Sequence, residues 1–209
     1  MAELVARMAE IVASRKESDV LVAMGLGSCI GVALLDRASP VAGLAHVVLP
    51  EGRSGTAVPA KFADTAVPEL IRQVSALGAA ASDLSAVLVG GAQLLPPGPN
   101  GRPDIGHRNE QAVRAALAAA GIAVSVAVTG GASARTIRIH VGAGLVACKE
   151  AGNADEPIAH RDTRPAHVHG GSDETTIPAA RGTLRGAAQR GGYPVVGVDP
   201  IFQGAPNRA

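Results

Sequence analysis

The sequence predicts one layered domain of the α/β or α+β class followed by an irregular extension, and three observations carry that prediction. Apolar runs of strand length, bounded by Gly, Pro, Ser or Asp, recur between residues 19 and 150. Only two stretches show helical spacing, so strands and helices mix without strict βαβ alternation. Beyond residue 150 the composition turns to Gly, Pro, Ala, Arg and His, and sustained periodicity ends. At 209 residues the chain is long enough for a real core. It has no Trp, one Tyr and two Phe, so Val, Leu, Ile and Ala must fill that core by close packing.

Taken in order, DVLVAM (19–24), CIGVALLD (29–36) and VAGLAHVVLP (41–50) read as strands. Residues 61–79 follow a helical pattern with Ala66, Leu70, Ile71, Val74 and Leu77 on one side. Pro68 suits that helix only in its first turn, where a missing N–H is harmless. SAVLVGGA (85–92) is a short strand ending in glycines, and PPGPNGRPD (96–104) is a loop. A helix is predicted over 109–122, with Asn109 near its start and Gly121 as its stop. AVSVAVTGG (123–131) and RTIRIHVG (135–142) supply two strands, and GLVACKE (144–150) a last one. The expected division is a domain over 1–150 and a mostly irregular extension over 151–209, with PVVGV (194–198) its only plausible strand.

Several classes are disfavoured. A net charge of +1 gives no basic footprint for nucleic acid. There is no apolar run of 18 residues, so no membrane insertion is expected. The stretch MAELVARMAEIVASRKESD carries early acids and lacks the apolar core of a signal peptide. Cys29 and Cys148 do not make a disulfide framework. The expectation is a soluble cytoplasmic protein with free thiols.

The chemistry centres on GLGSCIGV (25–32). If the strands 29–36 and 41–50 form a hairpin closed around Arg37 and Ala38, Cys29 lies directly opposite His46. Directly opposed residues share a face, with Cβ atoms roughly 4.5–5.5 Å apart, within reach of a thiol–imidazole hydrogen bond. An imidazole that takes the thiol proton creates the minimum unit of thiolate catalysis, an ion pair that lowers the cysteine pKa. The preceding Gly27 and Ser28 fit an oxyanion site, since successive N–H groups of such a turn converge on an anion. The bland alternative is a core cysteine and a buried histidine, and spacing leaves both open. A dinucleotide fingerprint is poorly supported: Ile30 stands at the third glycine position, and a strand follows where a helix is required.

GLGSCIGVALLD followed by GLAHVVLP resembles the CheD family of chemoreceptor glutamine deamidases. The likeness continues through KFADTAVPELIRQVSALGA, VLVGGAQLL, IGHRNEQAVRAALAAAGI and TGGASARTIRIHVGAGLVACKE, from about Met8 to Lys149. It implies a layered α/β/β sandwich of mixed sheets with two to three helices. The implied activity is that of a protein-glutamine glutaminase, a hydrolase converting receptor Gln side chains to Glu with release of ammonia through a cysteine thioester. Cys29 would be the nucleophile and His46 the general base, with backbone around Gly27 and Ser28 serving the oxyanion. No metal or organic cofactor is implied; the partners would be methyl-accepting chemotaxis receptors and a CheC-type phosphatase. The family's third catalytic residue, a threonine six positions before the cysteine, is Ala23 here. Loss of an orienting group costs up to roughly 10⁴-fold, which implies a weakened or differently assisted deamidase. The alternative is an inactive CheD-like adaptor that binds receptors or a CheC-type phosphatase; a third class is a related enzyme redirected to another protein.

Other candidates read as structural. Cys148 ends an apolar strand without a basic neighbour. His107 lies at a loop-to-helix junction and suits a solvent-facing capping role over receptor binding, Arg108 and Asn109 fix the loop and helix start, and His140 reads as a surface strand residue. The HVHGG run (167–171) places two histidines on one face if extended, without the Cys or carboxylate partners of a metal site.

Overall fold

Alternate residues of a strand go to opposite faces of its sheet, and in this chain the alternation sets the layers. The computed structural model describes residues 2–52, 58–94 and 104–163. Its elements are β1 (Glu3–Val5), β2 (Ile11–Ser14), β3 (Val20–Leu26), β4 (Ile30–Asp36), β5 (Ala42–Val47), α1 (Ala63–Ala76), β6 (Leu84–Gly90), α2 (Ile105–Ala119), β7 (Ala123–Thr129), β8 (Arg135–His140), β9 (Leu145–Glu150) and β10 (Glu156–His160). They form two five-stranded sheets, β1-β3-β8-β9-β10 and β2-β5-β4-β6-β7. The pairs β1–β3 and β6–β7 are parallel and the rest antiparallel, so both sheets are mixed.

In β4, Ile30, Val32 and Leu34 face the two helices, whereas Ala33 and Leu35 face the other sheet. The same split runs through β5 and β6, giving helices, sheet and sheet as three layers. This is the α/β/β sandwich expected, with two α-helices. Leu34, Leu70, Leu88 and Leu117 are fully buried, each contributing about 1.5–3 kcal/mol. Small residues substitute for missing aromatic bulk by letting elements approach: a β-carbon at Gly43 would lie 2.6 Å from Val74 and 2.7 Å from Leu70 of α1.

Several boundaries differ from expectation. The N-terminal stretch supplies two strands, β1 and β2, one to each sheet. Pro68 lies inside α1, beyond its first turn, on the exposed side where water can meet the carbonyl it leaves unpaired. α2 begins at Ile105, because the Asp104 side chain accepts from the His107 N–H at 2.8 Å and caps it. Asn109 is therefore a second-turn residue.

The segment after residue 150 starts with a strand. β10 pairs with β9, and Arg161 beyond it donates to the carbonyls of Ser39, Val141 and Gly142 at 2.7–2.8 Å. Ending the chain at Glu150 would strip the edge of one sheet, and a melting temperature lower by several degrees is expected by calorimetry. The PVVGV and HVHGG runs, and residues 96–103 of the expected loop, lie outside the described residues.

Candidate active site

The hairpin that carries Cys29 and His46 is closed by a side chain. Asp36, 2% exposed, accepts from the Ala38 and Ser39 N–H groups at 2.7 and 2.9 Å with one carboxylate oxygen. Its other oxygen accepts from the Ala80 N–H at 3.2 Å. This Asx arrangement makes residues 37–40 the turn and pairs the Asp36 N–H with the Val41 carbonyl at 3.0 Å. The turn is thus two residues longer than one closed around Arg37 and Ala38. Ile30 pairs with Val47 and Gly31 with His46, so Cys29 is not directly opposite His46. A two-residue shift preserves the face, because side chains alternate with period two. Cys29 and His46 are diagonal neighbours on the side facing the second sheet, and the residue opposite the imidazole, Gly31, has no side chain.

His46 is buried between the two sheets and held by the N-terminal arm. Its N–H donates to the Glu10 carbonyl at 3.0 Å and its carbonyl accepts from the Ala9 N–H at 3.1 Å. The imidazole Nδ1 lies 3.3 Å from the Ala6 carbonyl, somewhat longer than the usual N–H···O spacing. A carbonyl can only accept, so Nδ1 carries the proton and Nε2 is left as the acceptor. Nε2 is buried and has no hydrogen-bond partner among the described residues. Thiol and imidazole are therefore not hydrogen-bonded to one another in this structure, which tempers the direct contact expected from the sequence.

Ala23 is fully buried in the same inter-sheet core as Ala6 and Cys29. β1 runs parallel to β3 with Val5 opposite Val22, and the Ala6 N–H donates to the Val22 carbonyl at 2.8 Å. Ala6 consequently sits beside Ala23. Where Ala23 offers only a methyl group, the neighbouring main-chain carbonyl meets the imidazole.

The nucleophile loop is clamped through its carbonyls. Gly25 takes a φ of +68°, and the Gly27 N–H closes a tight turn onto the Gly25 carbonyl at 2.9 Å. The Gly27 carbonyl accepts from the Ala92 N–H at 2.7 Å, and the Cys29 carbonyl from the Gly91 N–H at 2.8 Å. Between them, the Ser28 carbonyl accepts from the Asn109 side-chain amide at 2.8 Å. The same amide nitrogen donates to the Val48 carbonyl at 2.9 Å, tying the loop to the chain just past His46. Among the described residues no backbone carbonyl accepts from the Ser28 or Cys29 N–H.

Burial sets the resting charge. It pushes the Cys29 thiol above its ordinary range, against a smaller opposing effect of the residue's own N–H. It pushes His46 below the usual histidine value, opposed more weakly by the Ala6 carbonyl. Both shifts favour neutral thiol beside neutral imidazole, in place of the resting ion pair that the sequence suggested. Cys148 is a buried free thiol, raised by desolvation and lowered less by Arg135.

A cleft of about 720 Å³ opens next to this loop, lined by Gly91, Gln93, Asp104, His107, Glu110 and Gly130 among others. It shares Gly91 with the clamp but includes neither Cys29 nor His46. Glu110 is paired with Arg114 at 2.8 Å, so it offers no free charge there. Among the described residues no group of three or more His, Cys, Asp or Glu could hold a metal ion. No described helix is long and apolar enough to cross a membrane.

Two contributors escaped the sequence reading. Ala6 acts through its main chain, which leaves no side-chain signal. Asn109 is a buried polar residue on the inner side of α2, and its spacing from Val113 and Leu117, also buried, was the available sign.

Comparison with known proteins points to one family. The family described as "CheD chemotactic sensory transduction" matches residues 48–150. A "Probable chemoreceptor glutamine deamidase CheD" of Symbiobacterium thermophilum is 37% identical over 155 residues, covering 72% of this chain and 94% of the relative. A second protein of that name, from Desulfitobacterium hafniense, is 41% identical over 131 residues, covering 62% and 82%. The "Chemoreceptor glutamine deamidase CheD" of Thermotoga maritima is 35% identical over 141 residues, covering 68% and 88%. With 72% of the chain matched at 37% identity across 94% of one such relative, and 68% at 35% across 88% of another, this chain belongs to the CheD family.

Proposed function

We propose that this chain is a chemoreceptor glutamine deamidase, with Cys29 as nucleophile and His46 as general base. The observation that carries the reading is the buried His46 imidazole. Its Nδ1 is committed to Ala6, and its Nε2 is free on the face that Cys29 shares. As the Cys29 sulfur attacks the carboxamide carbon of a receptor glutamine, its proton passes to Nε2 and the amide oxygen becomes an anion. The C–N bond then breaks while the imidazolium returns the proton to the leaving nitrogen, releasing ammonia and a thioester. His46 next takes a proton from water, hydroxide adds to the thioester, and collapse yields glutamate with the thiol restored.

The Ala6 carbonyl keeps the imidazole in the required tautomer through both halves and substitutes for the side chain that Ala23 lacks. A macromolecular substrate suits the surroundings. Met8 lies two residues past Ala6, Met24 precedes the nucleophile loop and Leu94 packs over Gly27, and all three are exposed. An apolar helix face could rest on them. The cytoplasmic portion of a receptor is the corresponding target.

The test is incubation with receptor cytoplasmic fragments and mass spectrometry of the Gln-to-Glu shift; no shift at any site would remove the reading. Catalysis from a neutral pair also fixes the pH profile. Activity is expected to hold below the ordinary histidine pKa of 6.5 before falling as His46 protonates, and to persist toward the ordinary thiol pKa of 9.0. A depressed His46 pKa also means that the unfolded chain binds the proton more readily, so stability declines as pH falls through the histidine range.

A further inference from the structure

We infer that Asn109 is a positioning residue that presets the oxyanion site, by turning the Ser28–Cys29 peptide so that the Cys29 N–H faces the reacting carbonyl. The inference rests on Cys29 being the nucleophile. Asn109 is fully buried, and its amide nitrogen lies within hydrogen-bond distance of two carbonyl oxygens, Ser28 at 2.8 Å and Val48 at 2.9 Å. Only the NH₂ end of an amide can meet two acceptors, which fixes the orientation of the group. Its Oδ1 is then left buried without a partner among the described residues. An unsatisfied buried polar atom costs about 1–3 kcal/mol, so an amide is a poor choice for stability alone at this depth.

What the amide does supply is direction. A trans peptide is planar, and its C=O and N–H point opposite ways. Drawing the Ser28 carbonyl toward α2 therefore turns the Cys29 N–H away from it. The Ala92 N–H draws the Gly27 carbonyl in the same manner and turns the Ser28 N–H outward. Neither N–H is used by another backbone group among the described residues, and that of Cys29 is near enough to its own sulfur to favour the thiolate. Two N–H donors that no backbone carbonyl among the described residues takes up, beside a nucleophile, are the elements of an oxyanion hole. The second bond, to Val48, sets this peptide against the strand that carries His46, so donor and base are registered by one side chain.

Two reagents separate this role from simple support of the fold. p-Nitrophenyl acetate acylates a cysteine through a tetrahedral oxyanion: sulfur attacks the ester carbon, His46 takes the thiol proton and p-nitrophenolate leaves. Iodoacetamide alkylates the same sulfur by displacing iodide, and no oxyanion forms. In Asn109→Ala, acylation of Cys29 followed by peptide mass spectrometry is expected to slow about 10- to 100-fold, with alkylation within about threefold of wild type. Equal slowing of both reactions, or of neither, overturns the inference. If Asn109→Ala does not fold, Asn109→Ser, with one donor in place of two, is expected to show the same selective loss at smaller size, and equal or absent effects there overturn it likewise. Receptor-glutamine conversion by the wild type is scored separately. Its failure with Cys29 acylation intact removes the substrate reading and leaves the two-reagent comparison to decide on Asn109.

Discussion

Cys29→Ala is expected to abolish conversion of receptor glutamine, with kcat lowered by at least about 10⁴-fold and the fold intact. The residue is 8% exposed and packs in the inter-sheet core, so removing its sulfur costs only about 1 kcal/mol in burial. A large loss of rate with a small loss of stability is the signature of a reacting atom. His46→Ala should match it in rate, because without Nε2 the neutral thiol has no proton acceptor, and its burial opposes spontaneous ionisation. The double variant should be no slower than either single one, since groups that act as a unit are not additive. Cys148→Ala is the control. That thiol is also buried and also raised, but no imidazole shares its face in β9, and the rate should be unchanged. Should Cys29→Ala retain even a tenth of the wild-type rate in the glutamine mass-shift assay, the nucleophile lies elsewhere.

Much of this site was legible in the sequence because it follows from alternation. The face shared by Cys29 and His46 survives any even change in the turn, whereas IGVALLD, buried on both sides, has no polar alternation to say which side meets the helices. The turn itself was misread by two residues, because its length is set by the Asp36 carboxylate reaching forward to two N–H groups, a tertiary-scale choice among several possible closures. β1 is three residues long, with Glu3 exposed at its start, and too short for periodicity to register. The carbonyl that meets His46 belongs to Ala6, just past β1, and every residue type possesses one. Asn109 reads as a cap from sequence, since that is where asparagine usually sits near a helix start; Asp104, just ahead of Ile105, had already taken that place. β10 escaped because its EPIAH is polar at the edge of a sheet, where one buried residue, Ala159, is enough to hold it.

The glycine that ends β6 carries the second large expectation. Gly90→Ala should lower the melting temperature by roughly 6–20 °C, taking about 3–5 kcal/mol at 2–4 °C per kcal/mol for a chain of this size. Gly90 has a φ of +117°, a region costing other residues about 1–3 kcal/mol. A β-carbon there would overlap the Cys29 carbonyl oxygen, and that oxygen is backbone, pinned by the Gly91 N–H at 2.8 Å. The only relief is to move the Cys29 peptide, which carries the nucleophile out of register with His46, so activity should fall with stability. Gly121→Ala isolates the backbone part of the effect. It has a φ of +70° and nothing within 4 Å of a β-carbon, so about 1 kcal/mol and an unchanged rate are expected. If the two variants melt alike in calorimetry, the close approach of β6 to the nucleophile loop is not what holds Cys29 in place. If Gly90→Ala melts lower yet keeps its rate, the loop can shift without harm to the chemistry, and the requirement for a fixed Cys29 peptide fails with it.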